Sequence, residues 1–158
     1  MIGGENVAIK LGAPVTVSQA VTLESESTTP GTFAIDTNGY TLSLNGTLYN
    51  ATELTITGTG KVQSGGGIQQ GDSLIENTGT LIWSDATIHV ADGLTGITNY
   101  SILTMNSGAI TTDTGFNPIS TYGVMYPAGV EDTTVVADSI INVATETGWA
   151  NAYYKMEE

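Results

Sequence analysis

The frame Leu48-x-Asn50-x-x-x-Leu54-x-Ile56 constrains this chain more than any other feature, because it recurs twice. It returns as Ile75-x-Asn77-x-x-x-Leu81-x-Trp83 and as Ile97-x-Asn99-x-x-x-Leu103-x-Met105, at offsets of 27 and 22 residues. Each copy runs on through a Gly- or Asp-bearing turn to another aliphatic residue, Val62, Ile88 or Ile110. A repeat of this length with two-residue alternation marks a solenoid, since one repeat cannot bury its apolar face alone and must stack on the next. Overlaying the copies gives three columns: Leu54, Leu81 and Leu103; Ile56, Trp83 and Met105; Asn50, Asn77 and Asn99. In a parallel stack such columns repeat at about 4.8 Å, and asparagines at that spacing pass amide hydrogen bonds along the axis.

The rest of the chain obeys the same alternation. Val15-x-Val17, Val21-x-Leu23, Phe33-x-Ile35 and Leu42-x-Leu44 read as short strands. Turn chemistry separates them at Thr29-Pro30-Gly31, Asn38-Gly39, Asn45-Gly46, Gly58-Thr59-Gly60 and Gly65-Gly66-Gly67. An antiparallel sandwich also has many short strands, but its strands need not resemble each other, so the repeat favours stacked parallel rungs. The fold class expected is all-β: a parallel β-helix forming one domain over residues 1–158, with regular rungs over 7–111 and an irregular cap or interface over 112–158. At about 25 residues per rung the chain holds roughly six rungs, a rod about 30 Å long. Gly115 to Gly129 reads as a loop, Val130 to Val143 as a degenerate further rung, and Gly148 to Glu158 as the one helix candidate.

Charge removes whole classes of partner. The chain has 16 acids against Lys10, Lys61 and Lys155, no arginine, and a net charge of −13. Phosphate neutralisation needs clustered Lys or Arg, so nucleic acid is not an expected partner, and an anionic membrane surface is disfavoured for the same reason. With no cysteine there is no disulfide or thiolate site. Met1 to Asn6 lacks the basic start and long apolar run of a signal peptide, and no segment reaches membrane-spanning length.

The segments Ala34 to Leu42, Leu54 to Val62 and Ser73 to Leu81, with the later copy of the frame, resemble the right-handed parallel β-helix (pectate-lyase-like) superfamily. More narrowly, they resemble β-helix segments of bacteriophage fibres and spikes and of gut-bacterial surface proteins. The resemblance covers about residues 7 to 111. It implies a non-enzymatic virion-surface component, a capsid decoration or fibre-like protein, forming a homotrimer and contacting other virion proteins or host-surface glycans. The alternatives it leaves are a secreted bacterial adhesin segment on the cell surface and a polysaccharide lyase or glycosidase.

The residues themselves argue against the enzyme. A lyase of this family needs an arginine-like base, and there is none. Glycosidase carboxyls must face each other at about 5–9.5 Å, so they would occupy matching places on neighbouring rungs. Asp36, Glu53, Asp72, Glu76, Asp85, Asp92 and Asp113 show no such repeat, and the partner of Glu53 in the frame is Thr80. His89, the one histidine, alternates with Ile88 and Val90 and reads as outward-facing. Glu24-Ser25-Glu26 and Glu131-Asp132 read as solvated turn acids rather than a calcium loop. No cofactor or metal is expected. Trp83 shares a column with Ile56 and Met105 and reads as core. The candidates for contact are Tyr122, Tyr126, Trp149, Tyr153 and Tyr154, which mark either a glycan site, a subunit interface or a cap over the last rung.

Overall fold

The computed structural model describes residues 6–24, 31–91, 93–112, 119–121, 124–126, 135–136, 141–145 and 148–154. Among them every regular element is a strand. The first coil comprises β1 (Val7–Lys10), β2 (Val15–Val17) and β3 (Val21–Leu23), and the second β4 (Thr32–Asp36), β5 (Thr41–Leu44) and β6 (Leu48–Asn50). The third is β7 (Glu53–Thr57), β8 (Lys61–Ser64) and β9 (Ser73–Asn77), and the fourth β10 (Thr80–Trp83), β11 (Thr87–Val90) and β12 (Thr95–Asn99). The fifth is β13 (Ile102–Met105), β14 (Ala109–Thr112) and β15 (Ile119–Thr121), after which β16 (Val124–Tyr126) pairs with β13.

Corresponding strands stack in parallel into three sheets. Sheet A runs β1-β4-β7-β10-β13-β16, sheet B β2-β5-β8-β11-β14, and sheet C β3-β6-β9-β12-β15. From the first coil to the fifth the stack makes about four turns of a β-solenoid. At about 4.8 Å per coil, some 19 Å separates the first coil from the fifth, a shorter stack than the roughly six rungs the period implies. Six rungs would need the parallel coil to run through all 158 residues, whereas among the described residues it ends at β16. There β17 (Val135–Val136) turns antiparallel, and β18 (Ile141–Thr145) and β19 (Gly148–Tyr154) form an antiparallel hairpin alongside β14 and β15.

Two local readings change accordingly. The helix candidate at the C-terminus is strand over Gly148–Tyr154, where Trp149, Tyr153 and Tyr154 are strand-favouring residues without a helical apolar stripe. The Val130 to Val143 stretch contributes to antiparallel pairs where it is described, not to a parallel rung. Within Gly115 to Gly129, β15 and β16 continue the coil, and Ile119 is fully buried opposite Ile97; the remaining residues of that stretch lie outside the described ones.

The core is built from the inward columns. Leu54, Leu81 and Leu103 stand in register, as do Ile56, Trp83 and Met105, and none is more than 1% exposed. Sheet C adds Leu48, Ile75, Ile97 and Ile119, and sheet B adds Leu42, Val62 and Ile88. Fully burying such a side chain stabilises the fold by roughly 1.5–3 kcal/mol. The third column is polar. Asn50 Nδ2 donates to Asn77 Oδ1 at 2.7 Å, and Asn77 Nδ2 donates to Asn99 Oδ1 at 2.7 Å.

This ladder stands where the chain turns from sheet C into sheet A within two residues. Such a corner carries buried backbone carbonyls that need donors. Asn50 Nδ2 reaches Thr52 O at 3.2 Å and, on the next coil, Thr80 O at 3.0 Å. Asn77 Nδ2 repeats the pattern with Gly79 O at 3.2 Å and Ile102 O at 2.8 Å. Each amide thus closes its own corner and binds the next one. The corners approach so closely that a Cβ on Gly79 would collide with the Ala51–Thr52 backbone, which is why glycine stands there.

Replacing Asn77 by alanine strips a donor from Ile102 O and leaves Asn50 Nδ2 without its closest acceptor. The expected cost is about 2–4 kcal/mol in urea unfolding, against less than about 0.5 kcal/mol for Thr59→Ala at an exposed turn. Equal effects of the two substitutions would show that the ladder adds nothing.

Candidate functional site

Alternation that sends one residue in two inward sends the other outward, so each sheet presents a surface set by the intervening positions. On sheet B the outward column is Thr16, Ser43, Gln63, His89 and Thr111. Gln63 Nε2 donates to Ser43 Oγ at 3.4 Å, and His89 Nδ1 lies 2.9 Å from Thr111 Oγ1. His89 is therefore on the outer face but partly covered and engaged by the next coil. The five strands of this sheet contain no Asp or Glu, and they carry Lys61 beside Thr87. In a chain of net charge −13 this is a face without acids.

Among the described residues, the acids on the other faces are dispersed or engaged in turns. Glu53 stands opposite Thr32 and Thr80, and Glu76 opposite Tyr49 and Thr98. Asp36 Oδ1 accepts from the Asn38 amide at 2.8 Å, and Asp36 also lies 3.4 Å from Lys10 Nζ. That pair is solvent-exposed and contributes little to stability. Asp85 Oδ1 accepts from Ser107 Oγ at 2.7 Å. Among the described residues no three His, Cys, Asp or Glu side chains converge. Glu24 is exposed, while Ser25, Glu26, Glu131 and Asp132 lie outside the described residues.

Trp83 is fully buried and its Nε1 donates to Ala86 O at 2.8 Å, which places its indole in the core rather than on a sugar-binding surface. Of the aromatic candidates, Tyr126 is on β16, opposite Thr104, at the end of sheet A. Trp149, Tyr153 and Tyr154 are on β19, in register with Ala144, Asn142 and Ile141. The backbone thus gathers these four positions at the C-terminal end of the stack; Tyr122 lies outside the described residues. Three further tyrosines, outside the aromatic set that the composition of the C-terminal third points to, are exposed: Tyr40, Tyr49 and Tyr100, at 37%, 40% and 50% exposure. The frame held the signal for two of them. Tyr49 is the x of Leu48-x-Asn50, and Tyr100 follows Asn99 on the outside of the corner.

Compared with known proteins, the chain matches no family model, no curated protein and no solved structure at a significant level. The solenoid assignment rests on the strand register alone.

The environment of Trp83 is directly measurable. In a Trp149→Phe variant, Trp83 is the sole tryptophan, and its emission is expected to be blue-shifted and resistant to acrylamide quenching. Red-shifted, readily quenched emission would contradict its placement in the core.

Proposed function

We propose that this protein is a non-enzymatic structural component of a bacteriophage virion exterior, a capsid decoration or fibre-like protein that touches host-surface glycans through the aromatic positions at its C-terminal end. The observation that supports this reading is how the interior is used. The frame's apolar columns and its asparagines are fully engaged in stacking coil on coil. A stack with a continuous core and an axial hydrogen-bonded ladder resists bending and slippage between coils, as a spacer or platform on a particle must.

The outer surface fits the same role. Hydroxyl and amide side chains dominate the outward positions of sheet B, and the overall negative charge keeps copies soluble and mutually repelling. The virion location is drawn from the resemblance to right-handed, pectate-lyase-like β-helices of phage structural proteins. Fold alone does not assign a role, because solenoids of this kind host enzymes and inert spacers alike.

Mass spectrometry of gradient-purified phage particles from the source lysate tests the proposal. Peptides of this chain are expected to co-purify with the capsid proteins in constant ratio. Their absence from intact particles, or their recovery on the bacterial cell surface instead, would replace the virion reading with that of an adhesin.

A further inference from the structure

Two Asn-Gly dipeptides punctuate the second coil, Asn38-Gly39 after β4 and Asn45-Gly46 after β5. An asparagine followed by glycine carries its own reactive pair. The side-chain amide carbon is an electrophile, the next backbone nitrogen is a nucleophile, and glycine has no Cβ to block their approach. The fold treats the two pairs in opposite ways.

Asn38 is anchored. Its backbone N donates to Asp36 Oδ1 at 2.8 Å, its Nδ2 donates to Leu11 O at 2.9 Å, and its φ of 48° places it in a left-handed turn. Swinging its amide toward Gly39 N breaks the bond to Leu11. Asn45 is held only through its backbone, whose N donates to Val17 O at 2.9 Å. Its Oδ1 is buried against Gly65 and accepts from no protein group. Among the asparagines whose side chains are described, Asn6, Asn38, Asn50, Asn77, Asn99 and Asn106 all hydrogen-bond through the amide group, and Asn45 does not. Gly46 N likewise donates to no group among the described residues. A buried acceptor without a donor is destabilising. Rotating the Asn45 amide toward Gly46 therefore breaks no hydrogen bond and relieves an unsatisfied oxygen.

We propose that Asn45-Gly46 is a self-modifying site: the chain deamidates there while folded, and the product loosens the corner that joins sheets B and C in the second coil. Gly46 N gives up its proton to solvent and attacks Asn45 Cγ. The bond from Gly46 N to Cγ forms, the Cγ–Nδ2 bond breaks, and Nδ2 takes a proton and leaves as ammonia. Water, the only co-reactant, then opens the cyclic imide. Opening at Cγ leaves aspartate. Opening at the main-chain carbonyl leaves isoaspartate, with the backbone routed through Cβ and Cγ.

The fold accommodates neither product well. β5 and β6 are joined by Asn45, Gly46 and Thr47 alone. Gly46 lies against the Gln19–Ala20 backbone of the first coil, and Gly65 and Gly67 of the third coil lie against Asn45 Oδ1 and Asn45 O. These approaches are so close that a Cβ on any of the three glycines would collide. A carboxylate at this place lacks the same donor that the amide lacks, and it adds a charge. The longer isoaspartyl backbone has no room between the neighbouring coils. The inference holds or fails independently of whether the protein is a virion component.

Incubation of the intact chain at mildly alkaline pH, with mass spectrometry and fragment-ion localisation, tests it. In guanidinium chloride the two dipeptides are expected to convert at similar rates, since only their sequence then matters. In the folded chain Asn45 is expected to convert at least about tenfold faster than Asn38, the factor that the hydrogen bonds anchoring Asn38 supply. Hydroxylamine, which cleaves the imide, is expected to split the folded chain between Asn45 and Gly46. The deamidated chain carries an added negative charge and separates by anion exchange. Its folding equilibrium constant is expected to be lower by about tenfold or more. Conversion of Asn38 as fast as Asn45 in the folded chain, no conversion of Asn45 while folded, or a deamidated chain as stable as its parent would overturn the proposal.

Discussion

Register between coils is the constraint on which the rest of the structure depends, and the buried Asn50–Asn77–Asn99 ladder is its most specific determinant. Apolar contacts tolerate small displacements, but an amide that donates to the next coil at 2.7 Å does not. Sliding a strand by one residue would turn Leu54 or Trp83 outward and bring Thr55 or Ile82 in. It would also leave buried carbonyls at the corners without donors. The two kinds of interaction therefore select the same register, and stability accumulates as a sum over neighbouring coils.

Much of this was readable because the frame repeats residue types at fixed places. Where the types change, legibility fails although the geometry persists. Leu23 occupies the place of Asn50 one coil earlier, and Thr121 the place of Asn99 one coil later, so neither end of sheet C displays the asparagine signal. Pro118 and Tyr122 flank β15 and gave that stretch the composition of a loop, yet Ile119 is buried in line with Ile97. The change from parallel coil to antiparallel pairing after β16 has no local signature. It depends on which edge a strand meets, and that is tertiary information.

The candidate site was legible only in part, for a related reason. Periodicity separates inward from outward positions, and it correctly separates Trp83 from Tyr49. It does not say which outward residues gather. The acid-free face of sheet B emerges only when β2, β5, β8, β11 and β14 are laid side by side, because the described acids, Glu24, Asp36, Glu53, Asp72, Glu76 and Asp85, lie in turns and on the other sheets. The clustering of Tyr126 with Trp149, Tyr153 and Tyr154 at one end likewise follows from the hairpin's placement beside the last coil. Sequence distance between these residues conveyed composition, not position.

The ladder can be tested at its central amide by side-chain hydrogen exchange in 15N-resolved NMR. Both Nδ2 protons of Asn77 are committed, to Asn99 Oδ1 and Ile102 O, deep inside the stack. They are predicted to exchange as slowly as the backbone amides of the surrounding core strands, which open only with the coil stack itself. Exchange at the rate of a solvated asparagine would contradict the account, because the coils would then be held in register without the amide ladder.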